Sequence, residues 1–281
     1  MAGKIALVTD STADLTREYI AENNIFVLPL KVVYREREYL DRIEIEPETV
    51  YSRLGEEVPS TSMPSMGEVM DLFTRLVREG YQEVLSIHIS SGLSGTFNTI
   101  RLAASQFPSL KIEVFDSKSI SMGIGLLVQE AAELIKKGNK LSSVLDRIHQ
   151  VRNEMTVTFV VKTLEYLKRG GRIGYVAATM GSLLDLKPII SVNHEGKYFT
   201  LAKVRGRKKS LQKIAELVKE ATEKNKLKLI VMHGDALEEA KCLLEEIKQS
   251  TGIGNINLGE VGPVIGVHTG PGVVGVAYYP V

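Results

Sequence analysis

The sequence predicts an α/β protein in two parts: an N-terminal α/β/α domain on a parallel sheet, residues 1–154, and a C-terminal mixed α/β domain, residues 155–281. Three observations predict it. Through the first half, strand-length apolar runs alternate with helix-period segments, the order of a parallel sheet covered by helices on both faces. After about residue 155 the pattern changes: apolar segments 188–192 and 197–204 flank Asn193-His194-Glu195-Gly196 as in a hairpin, which requires antiparallel pairing and a different sheet. The chain has 281 residues, 44% of them hydrophobic, enough for one large or two modest domains with a sizeable core.

The elements follow in order. Residues 5–8 read as the first strand, a helix begins near Thr12, and residues 25–34 read as a second strand. Over residues 66–78, Val69, Leu72, Phe73, Leu76 and Val77 recur at helical spacing. Val84, Leu85, Ile87 and Ile89 form a strand that runs through a Ser/Gly turn, residues 90–96, into a helix marked by Phe97, Ile100, Ala104 and Phe107. A strand at 111–115 and a long helix at 123–137 complete the first part. Beyond the hairpin come a helix at 208–224, a strand at 227–232, a helix at 236–249, and apolar runs at 256–261 and 273–279.

Parallel sheets bind ligands beyond the carboxyl ends of their strands. Three polar turns fall there: Asp10-Ser11-Thr12, the 90–96 turn, and Asp116-Ser117. Helix capping explains Asp10 and Asp116 on their own, but recurrence on one edge marks a cleft. The 90–96 turn has more serines and glycines than a cap requires. Glycines let the backbone approach a ligand, and hydroxyls beside the free N–H groups of a helix start are donors to a carboxylate or phosphate.

Several chemistries lack their residues. Gly92-Leu93-Ser94-Gly95-Thr96 misses the Gly-x-Ser-x-Gly nucleophile elbow by one position, and no phosphate-binding P-loop or dinucleotide fingerprint is present. The five histidines include no pair at metal-ligand spacing, and His88 reads as a satisfied core residue. The lone Cys242 excludes an intramolecular disulfide; its apolar helical neighbours predict a buried, inert thiol. With 35 Lys plus Arg against 34 Asp plus Glu, the net charge of +1 advertises neither nucleic acid nor an anionic membrane. The first apolar run is too short for a signal peptide, and no window approaches the roughly 18 to 20 apolar residues of a membrane helix, so a cytoplasmic protein is expected.

Five segments then carry a resemblance: VTDSTADL (8–15), TSMPS (61–65), SSGLSGT (90–96), LEYLKRGGRIG (164–174) and GPVIGVHTGPG (262–272). In this order they resemble the DegV family, the fatty-acid-binding subunits of bacterial fatty acid kinase. The resemblance implies a DegV-like two-domain carrier that encloses one long-chain fatty acid, such as palmitate, and presents its carboxylate to the kinase catalytic subunit for ATP-dependent acyl phosphate formation. It implies no catalysis by the carrier, no cofactor and no nucleic-acid partner; it leaves room for transient membrane contact but not for integral association. By motif position, Thr61, Ser94 and His268 hold the carboxylate, with Ser62, Ser91, Gly95 and Thr96 as secondary contacts. Met63 stands where the family usually has glutamine. The physics is compatible: burying about 14 methylenes of a C16 tail supplies roughly 11 kcal/mol before the costs of binding.

Each assignment has a rival. Thr61, Ser62 and Ser65 suit capping of the helix beginning near Met66, and His268 suits a structural strand end. With an unperturbed pKa near 6.5, His268 is expected to add a proton-dependent contact. Lys168, Arg169 and Arg172 flank Gly170-Gly171, while Lys203, Arg205, Arg207, Lys208 and Lys209 crowd a helix start where the dipole disfavours cations. Arg172 and Arg205 are therefore expected on the face that docks the kinase or contacts the acyl phosphate. The competing function is a serine-dependent hydrolase or transferase acting on a small anionic substrate, with Ser94 as nucleophile and His268 as base.

Overall fold

The structure, a computed structural model, describes residues 4–179 and 186–281. Its strands are β1 Ile5–Asp10, β2 Phe26–Leu28, β3 Lys31–Val33, β4 Glu38–Leu40, β5 Ser60–Ser62, β6 Glu83–His88, β7 Lys111–Asp116, β8 Thr156–Val160, β9 Leu186–Val192, β10 Tyr198–Arg205, β11 Leu227–Gly234, β12 Asn257–Glu260 and β13 Val273–Pro280. Its α-helices are α1 Arg17–Glu22, α2 Pro47–Arg53, α3 Met66–Arg78, α4 Thr96–Ala104, α5 Met122–Lys136, α6 Leu141–Glu154, α7 Glu165–Arg169, α8 Arg207–Thr222, α9 Leu237–Thr251 and α10 Pro263–Thr269.

The first sheet, β2-β1-β6-β7, is wholly parallel. The second, β10-β9-β8-β13-β11-β12, is mixed: only β11 and β12 run parallel. A small antiparallel sheet, β4-β3-β5, completes the set. The α/β class with one parallel and one mixed sheet is thus what the alternation and the hairpin predicted.

Helix packing turns the sheets into layers. On one face of the parallel sheet, Ala6, Val8 and Val84 pack with Val69, Phe73 and Leu76 of α3 and Ile100 of α4. On its other face, Leu7, Leu85 and Ile87 pack with Ile124 and Leu127 of α5 and Val144 and Ile148 of α6, and this cluster continues into Val157, Phe159 and Ala277 of the mixed sheet. Helices α5 and α6 are therefore a shared filling between two sheets. The outer face of the mixed sheet is covered by Ile214 and Val218 of α8 and Leu243 and Ile247 of α9.

Four sequence expectations change. The apolar run 25–34 is two strands, because Pro29 diverts the chain: Phe26–Leu28 joins the parallel sheet and Lys31–Val33 the antiparallel one. The helix expected from Thr12 is a single 3₁₀ turn, Ser11–Ala13, with Asp10 accepting from the Thr12 N–H, before α1 begins under Thr16. His268 is not a strand end; it lies in the last turn of α10, which starts with Pro263 at a position that needs no N–H donor. Cys242 is exposed, not buried. The inward stripe of α9 is Ala240, Leu243, Leu244 and Ile247, and residue 242 points away from it.

Candidate functional site

Three remote segments meet at one cavity of about 390 Å³, lined by Thr61, Ser94, Arg172 and His268 together with Leu30, Ile89, Leu93, Ile120, Tyr198, Val264 and Ile265. Thr61 is carried on β5, Ser94 on the turn between β6 and α4, and His268 on α10. The Thr61 hydroxyl and His268 Nε2 lie 2.8 Å apart. Arg172 is fixed by two backbone carbonyls, one from its own loop and one from the 90–96 turn: Nη1 donates to the Gly170 carbonyl at 2.6 Å and Nε to the Leu93 carbonyl at 3.3 Å.

Burial, reinforced by the Arg172 charge, pushes His268 down to about 4. The ring is thus neutral throughout the physiological range, which corrects the expected proton-dependent contact near pH 6.5. Among the described residues, its Nδ1 is buried without a hydrogen-bond partner. The tautomer with the proton on Nε2 donates to the Thr61 oxygen and leaves the Thr61 O–H free to donate outward. A carboxylate arriving there meets a hydroxyl donor and a guanidinium, and a bound carboxylate keeps its charge only if such donors replace water.

Ser94 has a local role as well. Its oxygen accepts from the Thr96 N–H at 3.2 Å and lies 2.8 Å from the Thr96 hydroxyl, so it tightens the start of α4 while facing the cavity. Thr96 is buried beneath it. Gly95 lies under Met63, whose sulfur would be 3.0 Å from a Cβ placed there and accepts from Thr99 Oγ1 at 3.3 Å. Ser62 is half-buried on β5, opposite Lys31, and is not in the cavity lining. Ser91 belongs to another cluster, its N–H donating to Asp116 at 3.2 Å and its oxygen accepting from Lys118 at 3.0 Å. Arg205 is exposed at the end of β10, outside the cavity lining.

A second cavity, of about 430 Å³, shares Ile120, Tyr198 and Ile265 with the first and continues between the start of α5 and the mixed sheet. Val157, Phe159, Met232, Val261 and Val273 make its walls apolar. A polar cavity and an apolar one thus lie back to back across these three side chains.

Residues that sequence reasoning did not select hold α10 in place. Asp14 accepts from the Gly262 N–H at 2.9 Å and Asp41 from the Val264 N–H at 3.1 Å, capping the helix that carries His268. Nothing local in the sequence ties Asp41 to a segment more than two hundred residues away. Burial raises Asp41 from its ordinary 3.8 to about 6; a Ser11 hydrogen bond opposes this and the Asp14 charge adds to it. A carboxyl raised by folding binds more protons in the native state between those two values, so its contribution to stability declines as pH rises through that window. Asp41→Asn is expected to gain on the order of 2 to 3 kcal/mol relative to wild type on going from pH 4 to pH 7.5. Denaturant unfolding at both pH values checks this; an equal effect at both would exclude it.

A Ser-His-Asp arrangement does exist elsewhere. His88 Nδ1 lies 3.0 Å from Asp10 and its Nε2 lies 2.6 Å from Ser86 Oγ, but all three residues are fully buried. His88 is the satisfied core residue the sequence predicted. Among the described residues, no cluster of acidic, His or Cys side chains suits a metal ion, and no helix is long and apolar enough to cross a membrane.

Fold and site together define a class: an α/β protein with a parallel and a mixed sheet, and a neutral hydroxyl–imidazole cluster with one arginine beside an apolar cavity. The family model for the "uncharacterised protein, DegV family" matches residues 4–281, and the chain belongs to the DegV family. A DegV domain-containing protein of Clostridium acetobutylicum is 43% identical over 98% of this chain and 99% of its own. Among solved structures, a DegV family protein from Thermus thermophilus described by its fatty acid binding has 35% identity and a TM-score of 0.94, covering 99% of this chain and 100% of that one. DegV of Bacillus subtilis, a fatty acid binding protein, has 33% identity and a TM-score of 0.91 over 100% of both chains.

Proposed function

We propose that this protein binds a long-chain fatty acid, its carboxylate at Thr61, Ser94, Arg172 and His268 and its tail in the apolar cavity behind them, and presents the carboxylate to a separate kinase for ATP-dependent acyl phosphate formation. The observation that carries the reading is that the polar cavity and the apolar cavity lie side by side, sharing Ile120, Tyr198 and Ile265 in their walls. Tail burial dominates affinity, while the hydroxyls and the Arg172 guanidinium replace the water that the carboxylate gives up. Arg172 at the mouth and exposed Arg205 are the cations offered to the kinase or to the acyl phosphate, and an ATP-using partner places the encounter in the cytoplasm. The hydrolase reading needs a base on Ser94. Here the Ser94 hydroxyl pairs with Thr96 and His268 Nε2 with Thr61, which favours the carrier.

Native mass spectrometry of protein purified from cells tests this: one acyl ligand per chain is expected. In Thr61→Ala/Ser94→Ala, loss of two charge-assisted hydrogen bonds weakens binding by about a hundredfold to ten-thousandfold. Wild-type protein that is empty and takes up no added fatty acid, or undiminished affinity in the double variant, refutes the assignment.

A further inference from the structure

The apolar cavity has a direction. Alternate residues of β13 face α5, and along this face lie Val273, Gly275, Ala277 and Tyr279. The first three line the cavity and Tyr279 does not. Phe159 on one neighbouring strand and Met232 on the other stand opposite Gly275, so side chains flank a floor that has none. A Cβ on Gly275 would lie 2.6 Å from the Phe159 Cβ, leaving no room for even a methyl group. The result is a trough along β13, roofed by the start of α5 and lined over roughly 13 Å from Val273 to Ala277 at the usual strand rise.

Tyr279 is unlike the residues before it. It is large and fully buried, and its hydroxyl donates to Glu130 of α5 at 2.7 Å; Glu130 in turn accepts from Arg147 of α6 at 2.8 Å. The ring is thereby fixed at the point where the small floor residues end. We propose that Tyr279 is the end stop of this trough and sets the longest acyl chain the protein accepts. The proposal rests on the fatty-acid reading and adds to it the residue that measures chain length.

The test equilibrates the full-length protein with an equimolar mixture of myristic, palmitic and stearic acids and quantifies the bound acids by native mass spectrometry. Ala277→Val fills the floor before the stop and is expected to raise the bound C14 to C18 ratio by at least about tenfold, the effect of denying burial to two methylenes. Tyr279→Leu moves the ratio in the opposite direction, whereas Tyr279→Phe keeps the ring as a wall and leaves it unchanged. If Tyr279→Leu fails to fold, Ala277→Val still decides. Acyl-loaded Ala277→Val and Tyr279→Leu with the wild-type chain-length profile overturn the end stop alone. Wild-type protein that binds none of the three acids overturns the fatty-acid reading, and the end stop with it.

Discussion

Gly170→Ala is expected to weaken fatty-acid binding by about tenfold to a hundredfold while leaving the fold intact. The backbone at Gly170 is right-handed, φ −75° and ψ −6°, so alanine suffers no conformational penalty there. The obstacle is space: a Cβ would lie 2.1 Å from His268 Nδ1 and 2.8 Å from its Cε1. The imidazole must move, and its hydrogen bond to Thr61 is lost. Without it the Thr61 O–H is no longer turned toward the carboxylate, and a hydrogen bond to a charged group contributes about 1.5 to 3 kcal/mol, which sets the size of the loss. Gly171→Ala is the control. Gly171 has φ +71° with open space around it, so its alanine variant loses on the order of 1 kcal/mol of stability without reaching the histidine. A second readout separates displacement from general damage: freed from burial, the His268 ring titrates well above the value near 4 that it has in the wild type, and NMR of the imidazole reports it. Wild-type affinity together with an unmoved histidine titration would contradict the role assigned to this glycine.

What was legible in the sequence follows from the range of the interactions involved. The strand and helix of residues 83–104 were readable because period and turn chemistry are local, and β6 and α4 fall where the apolar run and its helical sequel placed them. Helix α10 was not readable. It is buried on nearly every side, so Val264, Ile265 and Val267 show no polar face, and β-branched residues in such a run imitate a strand. The 25–34 run looked continuous because apolar character does not register which sheet a segment joins; Pro29 decides that. At the site, Thr61 and His268 are 207 positions apart, and no spacing rule connects them. They were reached only through the motifs shared with the DegV family. Arg172 was legible as a cation but not as a cavity residue, because its direction depends on the carbonyls of Leu93 and Gly170. The clamp on α10 and the Tyr279 wall carried no signal, since each depends on helices that the fold brings in from elsewhere in the chain.

The Asp14–Arg42 pair is expected to show strong coupling in a double-mutant cycle. Asp14 is fully buried and accepts from Arg42 Nη2 at 2.9 Å, from the Gly262 N–H at 2.9 Å and from Ser121 at 2.5 Å; Arg42 also donates to the Glu260 carbonyl at 2.7 Å. Both residues take left-handed backbone conformations, φ 53° and 60°, which a non-glycine residue adopts only when its surroundings hold it there. Burial pushes the Asp14 carboxyl upward, and Arg42 is the first influence opposing it. Asp14→Ala therefore leaves a largely buried guanidinium with one carbonyl partner and uncaps α10, a loss of about 3 to 5 kcal/mol. In Arg42→Ala the stranded carboxyl can instead take up a proton, so the loss is smaller and grows as pH rises. In the double variant neither charge is stranded, and its loss should fall short of the sum of the two single losses by roughly 2 kcal/mol. Unfolding titrations of the four proteins at pH 7.5 measure this coupling. Strict additivity would mean that Arg42 does not sustain the Asp14 charge, and the support of α10, and through it of His268, would then rest on the two carboxylate caps alone.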